Sequence, residues 1–169
     1  VDELAIPVGR PVELTLTTDT VMQSLLIAPL TGQIYAMPGM TTKLNFAASS
    51  TGTAEGENTQ FNGNGFGRQK FTVRALDPEG FERWLASANG APILDEASYA
   101  ILRRQSVLAD ARGDLGLEGE SGPIALSLGQ PDVFKTIVAK YHDTTASSAR
   151  EGRWGGTGKP VTDDAETVP

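Results

Sequence analysis

The side chains best suited to redox and metal chemistry are scarce in this chain. Its 169 residues include no Cys, one His (His142) and three Met residues (Met22, Met37 and Met40). Copper at electron-transfer sites is held by thiolate, imidazole and thioether groups, and zinc sites draw on several Cys, His or carboxylate ligands. One imidazole and three thioethers cannot supply either set. The sequence therefore predicts no metal site and no bound cofactor in this chain.

Acid–base and nucleophilic chemistry have equally little support. The carboxylate pairs Asp95–Glu96 and Glu118/Glu120 lie in polar sequence, where nothing apolar would raise the pKa of one carboxyl group. A Ser–His–Asp triad could use only His142 as its base, and no Ser stands in a nucleophile elbow. We expect His142, near the end of a predicted helix, to complement the helix dipole instead. The sequence thus predicts no catalytic residues, and a stand-alone hydrolase is the weakest hypothesis for its function.

The segment 56–71, GENTQFNGNGFGRQKF, is rich in Gly and in amide side chains. Its Gly63–Gly67 run is superficially like a phosphate-binding loop, but it lacks the G-K-[ST] ending and precedes a predicted strand rather than a helix. We interpret the glycines as residues that accept the positive φ angles of a tight loop. Amide side chains can hydrogen-bond backbone groups in such a loop. The candidates are Asn58, Gln60, Asn62 and Asn64.

Composition narrows the classes of protein to which the chain can belong. Its net charge of -7 and the absence of any basic run longer than Arg103–Arg104 argue against nucleic acid as a partner. No stretch approaches the roughly 20 apolar residues that cross a bilayer. Because the sequence begins at Val1 rather than Met, we expect a soluble fragment or a processed product.

Residues 1–76 are predicted to form strands. Val12, Leu14 and Leu16 alternate with polar residues, which is the period-two pattern of a half-buried strand. Other short apolar or alternating segments lie before and after it. Turns rich in Gly, Asn and Pro separate these segments at a spacing of about ten residues, which is typical of a sandwich or barrel. These segments are 4–6, 25–27, 43–46 and 70–74.

Residues 77–143 are predicted to form a helical extension. Asp77 as N-cap, with Pro78 at the first helical position, begins one helix, and Asn89–Gly90 ends it. The apolar face of this helix contains Trp84, which we expect to pack rather than to relay electrons or anchor a partner. Its other members are Phe81, Leu85 and Ala88.

Two further helices are predicted in the same extension. One should run from Asp95 to about Leu108, followed by a loop over 109–122. The last should open at 130–132 and present Phe134, Ile137, Val138 and Tyr141 as a helical stripe. The remaining tail, 144–169, is rich in Ser, Gly, Thr, Asp and Pro and is predicted to be disordered.

Several motifs together resemble the extramembrane domain of subunit II of the heme-copper respiratory oxidases. They are Val21-Met22-x-Ser24, the segment 33–44 with its Gln-Ile-Tyr-Ala-Met core, and Gly63-x-Gly65-Phe66. The Phe81-x-x-Trp84 and Pro131-Asp132-x-Phe134 helices also look like this family, so the resemblance covers about 4–141.

In the cytochrome c oxidase branch of that family, the same two places hold a binuclear copper centre. The resemblance puts its His positions at Gln23 and Phe66 and its Cys positions at Asn58 and Asn62. The Met position becomes Gln69, and the Glu that lends a backbone carbonyl becomes Gln60. Every side-chain ligand is replaced, a pattern that resembles the quinol oxidase branch of cytochrome bo type.

The resemblance implies a mainly β, cupredoxin-like Greek-key barrel with additional C-terminal α-helices. It also implies a non-catalytic domain on the periplasmic face of the bacterial inner membrane, in a quinol-oxidising, oxygen-reducing complex. Hemes, the remaining copper and the quinol site would belong to subunit I, the expected partner together with other oxidase subunits. Cytochrome c is not an expected partner, because its copper acceptor would be missing.

A free periplasmic cupredoxin-like binding or assembly module is the alternative. Membrane helices upstream of Val1 would favour the oxidase subunit, whereas a simple cleaved signal peptide would favour the free module.

Overall fold

The computed structural model describes residues 1–119, 121–129 and 132–142. The predicted tail, 144–169, lies outside these residues. The strands of the first half are β1 (Glu3–Pro7), β2 (Val12–Leu16), β3 (Gln23–Ala28), β4 (Ile34–Ala36), β5 (Thr42–Phe46), β6 (Gly52–Asn58) and β7 (Lys70–Leu76).

These strands form a curled, half-closed barrel. Five of them make one sheet in the order β1-β7-β6-β3-β4, in which β1 and β7 are parallel and the other neighbours antiparallel. The remaining two, β2 and β5, pair antiparallel as a separate ladder. The alternation predicted for β2 is confirmed, since Val12, Leu14 and Leu16 are half-buried while Glu13 and Thr15 are exposed.

The core lies between the five-stranded sheet and the β2–β5 ladder. Its fully buried centre contains Ile6 of β1, Ile27 of β3 and Val73 of β7. Phe46 of β5 packs against them from the β2–β5 ladder. Gly56 of β6 faces Phe71 across the sheet so closely that a Cβ atom there would lie 2.2 Å from the Phe71 ring. This position therefore needs glycine for lack of space.

The helix α1 (Pro78–Asn89) has the predicted bounds. The Asp77 carboxylate accepts a hydrogen bond from the Gly80 N–H at 2.7 Å, as an N-cap does. Trp84 is half-buried, stacks on Phe81 and donates its indole N–H to Glu3 of β1 at 2.8 Å. The prediction that Trp84 packs against the rest of the domain is confirmed.

The second predicted helix was placed wrongly at its C-terminal end. The helix α2 spans only Glu96–Leu102, and a separate helix α3 (Leu108–Asp114) occupies part of the predicted loop over 109–122. The acids and Gly113 in this segment suggested a loop, but burial of Ala111 holds it as a helix against the domain. An ion pair between Arg104 and Asp114 joins the two helices at 2.8 Å.

The last helix, α4 (Val133–Ala139), begins after Asp132 as predicted. The apolar stripe predicted for this helix faces the domain only in part. Ile137 and Val138 are half-buried, whereas Phe134 and Tyr141 are 37% and 41% exposed. Sequence analysis also missed the parallel pair β8 (Ile93–Leu94) and β9 (Ser127–Leu128), because strands of two residues have no periodicity to detect.

The expected mainly β, cupredoxin-like class with C-terminal helices is confirmed by this arrangement. Within the residues that the structure covers, no helix has the length and apolar character needed to span a membrane.

Candidate functional site

The predicted site positions meet at one end of the five-stranded sheet. Gln23 begins β3, Asn58 ends β6, and Gln69 immediately precedes β7. The backbone of Asn58 donates to the carbonyl of Gln69 at 2.9 Å, which closes the base of the segment between them. We call this end of the sheet, where β3 and β7 begin and β4 and β6 finish, the loop end.

Four amide side chains at the loop end form one hydrogen-bonded group, the amide network. The Gln69 side-chain carbonyl accepts from the Asn58 amide at 2.7 Å and from the Asn62 amide at 3.0 Å. Asn62 also donates to the Gln23 carbonyl at 2.9 Å. Amides can form such a network because each carries both donors and an acceptor. Residues that are 46 positions apart in the sequence, Gln23 and Gln69, are thereby connected through Asn62.

Asn58 also binds the backbone of the loop. Its side-chain oxygen accepts from the N–H groups of Ser24 and Gln60, both at 3.0 Å, and its amide donates to the Gln60 carbonyl at 2.8 Å. The expected binding of backbone groups by an amide is therefore observed at Asn58. Gln60 enters the site mainly through its backbone, while its own amide donates to the Phe61 carbonyl.

Phe66 lies outside the amide network. It begins a short 3₁₀ turn, Phe66–Arg68, that follows Gly65 with its φ of +92°, a conformation that favours glycine. The ring of Phe66 meets that of Phe61 edge-on, with centroids 5.2 Å apart. The structure thus brings five of the six predicted positions into contact and places the sixth in an aromatic pair beside them.

Ser24 and Thr59 belong to the site and were missed by sequence analysis. Ser24 is fully buried, and its hydroxyl accepts from that of Thr59 at 3.0 Å. The Thr59 N–H donates to the Ser24 carbonyl at 2.9 Å, which ties the loop to β3. A Ser within the otherwise apolar run 24–28 was the one signal in the sequence.

The donor set at this site does not fit copper. Its side chains offer neutral amides and hydroxyls, whereas a soft copper site requires thiolate, imidazole or thioether ligands. In the part of the chain that the structure covers, no three His, Cys, Asp or Glu side chains are grouped as metal ligands would be. His142 is elsewhere, just after α4, where its ring contacts the Gly39 carbonyl.

A cluster around Asp19 joins the loop end to the helices. Its carboxylate, in the turn between β2 and β3, accepts from Tyr99 of α2 at 2.8 Å and pairs with Arg103 at 3.2 Å. On the other side it pairs with Lys140 at 2.6 Å and receives the Tyr141 hydroxyl. We call these residues the Asp19 cluster.

Burial and hydrogen bonding act in opposite directions on the Asp19 carboxyl group. Burial raises its pKa, but the hydrogen bonds from Lys140, Tyr99 and Tyr141 outweigh burial and hold the pKa of Asp19 below its ordinary value. Burial, followed by the hydrogen bond to the Asp19 carboxylate, raises the pKa of Tyr99 well above its ordinary value. Both groups therefore stay in their common neutral-pH forms, a carboxylate and a phenol.

Part of the loop end is uncharged and exposes apolar side chains. The segments 20–23, 36–41 and 58–67 contain no charged residue, although Asp19, Arg68 and Lys70 lie next to them, in a chain whose net charge is -7. Val21, Met40 and Phe61 expose 45%, 51% and 66% of their surface there. An uncharged apolar surface of this kind is typical of a contact with another molecule.

A cleft of about 1020 Å³ opens beside the amide network. Gln23, Asn58 and Gln69 lie along it, and Val107 and Leu108, at the start of α3, form part of its opposite wall. We call it the side cleft.

Several curated proteins are similar in sequence to this chain. No family model matches the sequence. The chain is 38% identical over 143 residues to the cytochrome bo(3) ubiquinol oxidase subunit 2 of Pseudomonas putida, covering 83% of this chain and 41% of that protein. It is 32% identical over 154 residues to the ubiquinol oxidase subunit 2 of Acetobacter aceti, covering 90% and 46%. The chain therefore spans less than half the length of these curated relatives.

Among solved structures, the periplasmic domain of subunit II of cytochrome oxidase from Bradyrhizobium japonicum is similar, with a TM-score of 0.49 and 21% identity. The match covers 52% of this chain and 63% of that one.

Proposed function

This domain belongs to the subunit 2 family of ubiquinol oxidases, and from that premise we propose that it is the non-catalytic, extramembrane part of such a subunit. In this proposal it lies on the periplasmic face of the bacterial inner membrane, in a respiratory complex that oxidises quinol and reduces oxygen. The hemes, the copper and the quinol site belong to subunit I, on which this domain is held.

The amide network is the observation that supports this proposal most directly. The positions that would hold a binuclear copper centre in the cytochrome c oxidase branch are filled by Gln23, Asn58, Asn62 and Gln69, whose side chains bind one another. Hydrogen bonds between neutral amides can hold a loop closed, as metal ligation would, without any redox chemistry. In this proposal the amide network holds the loop closed, and the domain has no electron-transfer capacity.

The route of the electrons gives a physical reason for that loss. A quinol is soluble in the bilayer and can deliver electrons to a membrane-embedded subunit directly. A relay through an aqueous domain is needed only for a donor that arrives from the periplasm, such as cytochrome c. The remaining role for this domain is structural, and the loop end, with its exposed apolar side chains, is the surface that we assign to contact with partner subunits.

The experiment that tests this function is purification of the native protein from detergent-solubilised membranes of its source. We expect the intact mass and N-terminal sequence to show a longer polypeptide with apolar spans before Val1, and hemes to copurify in a complex that oxidises quinol. Recovery of a heme-free protein beginning near Val1 in the soluble fraction would contradict the proposal and favour the free periplasmic module. The same purification from membranes of cells that lack this protein gives the background heme level.

A further inference from the structure

The side cleft has an apolar floor that the described residues leave uncovered. Leu4, Leu14, Leu25 and Phe71 pack on the buried core with one side and line the cleft with the other, and each is only half-buried. They come from both layers of the half-closed barrel, so the cleft is a gap where the core opens towards the loop end. Its volume of about 1020 Å³ is at the upper end of the range of cavities that bind compact ligands.

The charged residues around the cleft are mainly acidic. The lining includes Arg68 and Lys70 as bases, against the four acids Asp2, Glu3, Glu57 and Asp110. Lys70 is engaged by Glu55 at 2.6 Å and by Glu57 at 3.8 Å. Asp2, Asp110 and Arg68 are exposed and form no ion pair with any residue the structure describes, so two unpaired acids stand against one unpaired base. An occupant that carries positive charge at the rim therefore fits better than an anionic one.

We propose that the side cleft is a socket for a polypeptide segment of a partner oxidase subunit, one that carries aliphatic or aromatic side chains next to a Lys or Arg. This inference rests on the proposed function. The apolar side chains cover the exposed floor, and the basic residue faces Asp2 and Asp110. The anionic headgroups of membrane lipids are disfavoured by the same acidic rim. The cleft is continuous with the loop end through Gln23 and Asn58, so both belong to one interface.

The test is site-specific photo-crosslinking in the assembled, membrane-extracted complex. A benzophenone amino acid replaces Val107, which is 57% exposed and lines the cleft. The control position is Leu128, which is 70% exposed, lies in β9 and does not line the cleft. We expect a crosslink from position 107 to another oxidase subunit, mapped by mass spectrometry to a segment that contains Lys or Arg, and none from position 128.

Charge reversal at the rim provides the second measurement. Asp2→Lys with Asp110→Lys should lower the crosslink yield from position 107 several-fold, because the basic residue of the segment would then be repelled. The matched control is Glu82→Lys, at an exposed residue of α1 remote from the cleft, which should leave the yield unchanged.

The outcomes separate this inference from the proposed function. Crosslinks from position 107 to lipid alone, to nothing, or with a yield insensitive to rim charge overturn the socket while hemes still copurify. Loss of the hemes from every preparation, with unmodified chain included, overturns the proposed function itself.

Discussion

At the scale of single residues, hydrogen bonds between amide side chains hold the loop end together. Gln69 is the centre of this arrangement, because its one carbonyl accepts from both Asn58 and Asn62. Each of these bonds is weak by itself and depends on the others for its geometry. The site should therefore respond strongly to loss of the shared acceptor.

Removal of that acceptor gives the first prediction. Gln69→Ala should lower the free energy of unfolding by about 0.5 to 1.5 kcal/mol, because two hydrogen bonds to an exposed side chain are lost. Urea denaturation followed by circular dichroism measures the change. Gln33→Ala, at an exposed amide outside the network, is the control and should change stability by less than about 0.5 kcal/mol. Equal effects of the two substitutions would show that the network contributes nothing to stability.

Restoration of the copper ligands tests the assignment of the positions. The variant with all ligands restored should fold and take up copper with a thiolate-to-copper absorption band. A folded variant without that band would show that the positions are assigned wrongly. A version with Ser in place of both introduced Cys residues is the control and should show no band. The substitutions are Gln23→His, Asn58→Cys, Gln60→Glu, Asn62→Cys, Phe66→His and Gln69→Met.

The contact between Gly56 and Phe71 gives a prediction about packing. Gly56→Ala should destabilise the domain by about 1 to 3 kcal/mol, because the half-buried Phe71 ring must move away from the core to make room for a methyl group. Gly52→Ala, at the other end of the same strand, has no atom near the added Cβ and should be neutral or slightly stabilising. Thermal unfolding measures the melting temperatures of both variants. Similar values would contradict the packing argument.

At the scale of secondary-structure elements, the Asp19 cluster connects the turn before β3 with α2 and α4. Its partners come from sequence positions 80 to 122 residues away, so the cluster acts as the tether between barrel and helices. Asp19 is only 10% exposed, and loss of its charge would leave two cationic side chains facing a neutral group. Such loss should loosen the helices more than the sheet.

The pH dependence of the tether follows from the direction of the Asp19 shift. A carboxyl group whose pKa is lower in the folded state contributes stability above its unfolded pKa, and that contribution is lost as pH falls through the lowered folded pKa. Stability should thus decline below about pH 4 more steeply in the unmodified protein than in Asp19→Asn. Urea titrations between neutral and acid pH measure this, with Asp110→Asn as the control. Parallel pH profiles for all three proteins would exclude Asp19 as the source.

How far the sequence predicts these elements depends on the signal each one carries. The ends of α1 were predictable because Asp77, Pro78 and Gly90 are local signals. The break between α2 and α3 was not, because it depends on burial of Ala111 against distant residues. The six site positions could be located through family resemblance, but the shared acceptor role of Gln69 depends on three-dimensional proximity. Ser24, Thr59 and the Asp19 cluster were missed for the same reason.

At the scale of the whole molecule, three neutral segments stand out against an acidic chain. The net charge is -7, yet the segments 20–23, 36–41 and 58–67 contain no charged residue and expose Val21, Met40 and Phe61. The acidic remainder keeps the domain soluble in water, while the neutral segments can contact another protein without desolvating charges. This distribution suits a domain held on one face against a membrane-embedded partner.

The choice of electron donor is the corresponding prediction for the complete complex. The purified oxidase should consume oxygen with a soluble ubiquinol analogue and show no oxidation of reduced cytochrome c above the rate without enzyme. Oxygen electrode and absorbance measurements test the two donors on one preparation. A cytochrome c oxidase whose subunit II carries a binuclear copper centre serves as the positive control. If the purified oxidase oxidised cytochrome c at a comparable rate, the non-catalytic role would be contradicted.

The parallel pairing of β1 with β7 has a consequence for biosynthesis. Glu3 lies opposite Thr72 and Pro7 opposite Leu76, so β1 has no sheet neighbour until β7 has been synthesised. Until then β1 keeps an unpaired edge, which is a hazard for aggregation. Completion of the sheet must therefore wait for translation past Leu76, and a nascent chain stalled before that residue should remain dependent on chaperones.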